Sequence, residues 1–175
     1  MTRTRFFSAI AVAVTVLFLA VPAQADPITF TANLTGAQEN PPKNVGGTGF
    51  ATLVLNGNVA TISLNYSGLT APLTGTHIHT GAVGVNGPIV IDFISLVAGL
   101  TGTTSGGFTN LNVTLNPTVL AALLAGNTYV NVHTTANTGG EIRGQLLATP
   151  EPASLLLLGT GLLSMAGALR RRKQG

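Results

Sequence analysis

The feature that most constrains this chain is a period-two alternation of apolar and polar residues that restarts several times between Asp26 and Thr149. Phe30, Ala32 and Leu34 make one run, Ala51, Leu53 and Leu55 a second, and Ala60, Ile62, Leu64 and Tyr66 a third. Successive side chains of a strand point to opposite faces, so each run predicts a strand with one buried face. Asn56-Gly57, between the second and third runs, suits a tight hairpin. Further strand candidates are residues 77–80, 88–93, 108–115, 128–134 and 141–147. One short helix is expected, with Asn116 as N-cap, Pro117 in its first turn and Gly126 as its stop. Ser95 to Gly107, rich in Gly, Thr and Ser, reads as a mobile loop. About eight short strands in roughly 120 residues, without alternating long helices, predict an all-β fold: an antiparallel β-sandwich or Greek-key barrel.

The flanks have a different character. Arg3 and Arg5, an apolar stretch from Phe6 to Val21, Pro22 and the small-residue site Ala23-Gln24-Ala25 read as a cleavable signal helix, residues 1–25, removed by a signal peptidase. At the other end, Pro150-Glu151-Pro152 is followed by uncharged residues 153–169 and by Arg170-Arg171-Arg172-Lys173. At about 1.5 Å per residue the uncharged stretch spans roughly 25 Å, close to the ~30 Å hydrocarbon core, and the basic residues can snorkel, so a C-terminal transmembrane helix is expected. The basic cluster should stay cytoplasmic, which leaves the middle outside.

Charge removes one class of partner. The net charge is +3, yet six of the eight basic residues lie in the flanks. Lys43 and Arg143 stand in the middle against Asp26, Glu39, Asp92 and Glu141. A mildly acidic body without clustered Lys or Arg has no surface for phosphates, so no nucleic-acid partner is expected. With 45% hydrophobic and 7% charged residues the chain is not a disordered tail. The absence of Cys excludes disulfides, thiolate metal sites and a cysteine nucleophile.

The chemistry of the middle is carried by histidine. His77-Ile78-His79 in a strand places both imidazoles on one face, with Cα atoms roughly 6.5 to 7 Å apart. In Tyr129 to His133, Val130 and Val132 form the buried face, so Tyr129, Asn131 and His133 share the other. The same alternation predicts that the histidines themselves are not buried. Three imidazoles, with Glu141 or a water completing the shell, would suit Zn²⁺ or Cu²⁺. The other reading of His77 and His79 is structural: their ring nitrogens hold the Gly81 to Gly87 loop. Glu141 and Arg143 read as a cross-strand ion pair or a backbone clamp. No G-x-S-x-G motif is present, and nothing places two of Glu39, Asp92 and Glu141 together as a glycosidase pair, so no ordinary catalytic site is expected.

Two resemblances add to these readings. Pro150-Glu151-Pro152, the apolar stretch and the terminal Arg cluster resemble the PEP-CTERM sorting signal over residues 150–175. That resemblance implies recognition by an exosortase-type enzyme, transient residence in the inner membrane, and delivery to the surface or exopolysaccharide matrix of a Gram-negative bacterium. Leu34 to Pro42, Thr76 to Gly81 with Gly84 and Gly87 to Val90, Tyr129 to Thr134, and Gly140 to Gln145 resemble the CHRD domain. It implies an immunoglobulin-like, extracytoplasmic domain over residues 26–149, and no defined activity. The His-x-His strand on such a sandwich also resembles copper-zinc superoxide dismutase, whose pattern needs more histidines than the three found here. The expected function is therefore an exported, non-enzymatic β-module with a histidine metal site; the alternative is a metal-dependent (copper/zinc) oxidoreductase.

Overall fold

The structure is a computed structural model that describes residues 26–150 and 159–163. The expected signal peptide and nearly all of the expected C-terminal span lie outside the described residues; 159–163 are helical. Among the described residues no helix is long and apolar enough to cross a membrane.

The body is antiparallel β throughout. Its strands are β1 (Ile28–Thr35), β2 (Thr48–Asn56), β3 (Val59–Ser67), β4 (Leu73–Thr80), β5 (Ile89–Asp92), β6 (Gly106–Thr114), β7 (Thr128–Thr134), β8 (Ile142–Gln145) and β9 (Leu147–Ala148). The helix α1 (Pro117–Leu124) begins as expected, with Asn116 Oδ1 accepting from Val119 N at 2.9 Å, and Gly126 at φ +71 follows it. The β2–β3 hairpin turns one residue later than expected, on Gly57-Asn58. Gly57 has φ +60 and Asn58 does not share the positive φ, the pattern of a II′ turn with glycine first.

The two layers expected of a sandwich are here halves of one continuous nine-stranded sheet in the order β5-β4-β7-β8-β1-β2-β3-β6, with β9 also on β1. Its halves join at one bridge, Thr35 to Arg143, and the strand that starts as β8 on β7 crosses over after buried Leu146 to pair with β1 as β9. A strand that changes partners in this way makes a corner, so the sheet curls over its own core. Phe93, following β5, and Phe108 of β6 meet at 4.9 Å between ring centroids, bringing the two sheet edges together across that core. Val119 and Leu123 of α1 close one end against Leu53, Ile78 and Leu146. The Ser95 to Gly107 segment is fastened: Leu69 N donates to Thr104 O, Leu73 N to Thr103 O, and Gly102 N to Leu73 O.

Candidate metal centre

The β4–β7 register sets the geometry. His77 pairs with Asn131, His79 with Tyr129, and Gly75 with His133, so the third histidine lies diagonally from the first. Glycine is needed opposite it, because a Cβ at Gly75 would stand 2.8 Å from His77 Cε1. Ring centroids are 4.9 Å apart for His77 and His133, 5.6 Å for His77 and His79, and 5.9 Å for His79 and His133. One nitrogen from each ring lies within 4.8 Å of the others.

The two nitrogens of each ring have different surroundings. His79 Nδ1 bonds Gly87 O at 2.9 Å and His133 Nδ1 bonds Thr138 O at 2.9 Å, so both carbonyls fix a tautomer that carries its proton on Nδ1. His77 Nε2 stands 3.5 Å from Asp92 Oδ1. The remaining nitrogens, His77 Nδ1, His79 Nε2 and His133 Nε2, are buried without a hydrogen-bond partner. Burial holds all three imidazoles below the ordinary range, reinforced at His77 by the neighbouring His133 charge, and His77 reaches about 4. At neutral pH the rings are neutral, the form that ligates a metal. A tetrahedral ion with bonds of about 2.0 to 2.1 Å needs nitrogens roughly 3.4 Å apart, a modest closure of the rings.

The expectation that these histidines are not buried is overturned at His79, which is 8% exposed, while His77 and His133 are half-buried. The face they occupy carries a second layer. Arg143 donates to Ala82 O, Val85 O and Asn86 Oδ1 at 2.9 to 3.1 Å, and Gln145 Nε2 donates to Gly81 O, which pins the Gly81 to Gly87 loop over β4, β7 and β8. Gly87 N donates to Tyr129 OH at 3.1 Å, and the Tyr129 ring lies between Arg143, at 3.4 Å, and the stacked His79 ring, at 4.9 Å. His79 therefore does hold this loop, as its structural reading requires, and its Nε2 remains free for the cluster.

Glu141 is not brought to the histidines. Its carboxylate accepts from Thr70 N and Oγ1 at 2.6 and 2.8 Å, from Thr134 Oγ1 at 2.6 Å and from Asn137 Nδ2 at 3.2 Å. Burial pushes this carboxyl up, but those bonds outweigh it and hold it below the ordinary range. Among the described residues Glu141 and Arg143 form no ion pair, so Arg143 is the backbone clamp. Asp92 is the residue that the sequence reading missed. It pairs with His77 across β4 and β5, and its place next to inward Ile91 already puts it on the histidine face.

Residues 148–173 match the PEP-CTERM protein-sorting motif. No curated protein and no solved structure matches the chain. Residues 30–146, from β1 through the pivot at Leu146 and including every side chain of the cluster, match the CHRD domain model, and the chain belongs to the CHRD domain family.

Proposed function

We propose that this is an exported, non-enzymatic module, released through its sorting motif to the cell surface or matrix, whose histidine cluster binds one Zn²⁺ or Cu²⁺ ion. Signal peptidase would act after Ala25 and an exosortase near Pro150-Glu151-Pro152, with the inner membrane holding the chain between the two steps. The curled sheet, with its halves facing one core, supports an immunoglobulin-like sandwich as the scaffold. The observation that carries the metal reading is that one nitrogen from each of three neutral rings lies within 4.8 Å of the others, while each ring keeps one buried nitrogen without a hydrogen-bond partner and turns its other nitrogen to a carbonyl or a carboxylate. That outer arrangement is the one that orients histidine ligands around a metal. His77, His79 and His133 would supply three nitrogens, leaving a position for water beside half-buried His77.

Elemental analysis of the protein, purified after growth with both metals, tests this reading. About one zinc or copper per chain is expected, lost in His77→Ala and His133→Ala. Gly75→Ala should weaken binding by roughly tenfold while melting near the wild type, because the added methyl meets the His77 ring and no backbone. A chain that retains no metal, or retains it equally in the histidine variants, removes the proposal. The rival oxidoreductase needs a redox-active ion; bound copper with superoxide or substrate turnover would favour it, and zinc alone would exclude it.

A further inference from the structure

The face of β1, β2, β3 and β6 turned away from the core is a second surface, remote from the histidines in the sheet order. Strand register aligns Asn33, Phe50 and Asn65 in one row and Thr31, Thr52 and Ser63 in the next. Phe50 is 37% exposed, and Asn33 and Asn65 on either side of it are exposed too. None of these four strands contains a charged residue, although soluble surfaces ordinarily carry Lys, Arg, Asp or Glu at about a quarter to a third of positions. A groove of about 280 Å³ runs over this face, lined by Phe50, Thr52, Ser63, Asn65 and Thr109 together with Leu64 and Phe108, whose side chains pack toward the core.

The groove lies where the β3–β6 ladder is interrupted. Register shifts between Ile62 and Leu64, and Asn110, at φ +56, donates its backbone N–H to Ser63 Oγ at 3.1 Å. Left-handed backbone at a non-glycine residue is uncommon and persists where the surroundings hold it. The bulge bends the edge strand and reshapes the face beside Ser63.

We propose that this groove binds a neutral polysaccharide chain. A pyranose ring has an apolar C–H face and a rim of hydroxyls that both donate and accept. Phe50 offers a flat apolar platform for the first, and the amides of Asn33 and Asn65, on strands roughly 4.8 Å to either side, can donate and accept at the rim. The hydroxyl row of Thr31, Thr52 and Ser63 lies roughly 7 Å further along the strands, in reach of the next sugar. Charge selects among ligands: an anionic glycan or a phosphate backbone would find no Lys or Arg here, and a neutral polymer keeps its hydrogen bonds without desolvating an ion. This inference rests on surface delivery for where such a polymer is met, and it is independent of the metal.

The test is native affinity electrophoresis of the purified protein in gels that contain hydroxyethylcellulose, dextran, a neutral mannan or alginate. Retardation is expected in at least one neutral gel and not in alginate. Phe50→Ala should lose at least tenfold in affinity, His77→Ala nothing. Thr52→Lys, which sets a charge in the groove on an outward side chain, should abolish retardation with unchanged circular dichroism. Migration unaffected by all three neutral polymers, stronger retardation by alginate, or retardation that survives both groove variants would overturn the proposal. So would a wild-type dimer that Phe50→Ala dissociates in sedimentation, because the occupant would then be a second copy of the chain. Binding in the gel with failed export in cells would count against surface delivery alone.

Discussion

Glu39 is 5% exposed, and its Oε1 has no hydrogen-bond partner. Burial lifts its carboxyl from 4.5 to about 7 although the Arg143 and Lys43 charges oppose the rise. Between those values the unfolded chain releases this proton while the folded chain keeps it. The contribution of Glu39 to stability is therefore complete below about 4.5 and is lost as the pH rises through about 7. Glu39→Gln keeps the shape without the titration, so thermal unfolding from about pH 5 to pH 8 should show a flatter profile for the variant and a higher melting temperature than wild type at the alkaline end. Equal slopes for the two proteins would show that the carboxyl is ionised in the fold. Alternation placed Tyr129, Asn131 and His133 on one face, and the structure agrees. What alternation could not indicate is that this face is covered, because the cover is a loop, Gly81 to Gly87, whose sequence has no period and whose docking depends on Arg143 far along the chain.

That loop links the elements around the cluster. Arg143 of β8 reaches it with three hydrogen bonds from two guanidinium nitrogens, and at its end Gly87 O accepts from His79 Nδ1 while Gly87 N donates to Tyr129 OH. Lysine keeps the charge but not the planar fork. Arg143→Lys should cost about 2 to 4 kcal/mol in urea unfolding, with the amides of residues 81–87 exchanging faster. Because Gly87 O orients His79, metal affinity should fall in the same variant even though no ligand has changed. Unchanged stability would mean that Gln145, Tyr129, His79 and Asn40 hold the loop without the guanidinium fork. The strands were readable wherever one face is buried and the other open, as in β1, β2 and β3. The division of residues 141–147 into β8 and β9 left no trace, since Ile142, Gly144 and Leu146 continue one alternation through the point where the hydrogen-bonding partner changes from β7 to β1.

For the molecule as a whole, this change of partner makes two half-sheets into one curled sheet, and it leads the chain directly into the sorting motif. After Leu146 the chain lies along β1, with Ala148 opposite Phe30, Leu147 opposite Thr31, and Thr149 N and Oγ1 both donating to Thr29 O at 2.8 Å. The sorting motif begins at residue 148, so its first residues are already part of the sheet, and Pro150 follows the last of these hydrogen bonds directly. Proline has no N–H to continue the ladder, which makes it a natural end for the strand. A chain of residues 26–149 should then unfold cooperatively on its own, because among the described residues it contains every buried one of the core. Ending the chain at Leu146 instead removes β9 while leaving that core intact. Leu147 and Ala148 are exposed, so the loss is confined to hydrogen bonds, that of Thr149 Oγ1 included, and to the cover they give the β1 edge. The shorter chain should be about 1 to 3 kcal/mol less stable with the same dependence on urea, and more prone to associate through the uncovered edge. If the two chains unfolded at the same urea concentration, β9 would be a passive tail and the domain would end at its pivot; if the longer chain failed to unfold cooperatively, residues beyond Thr149 would belong to the fold.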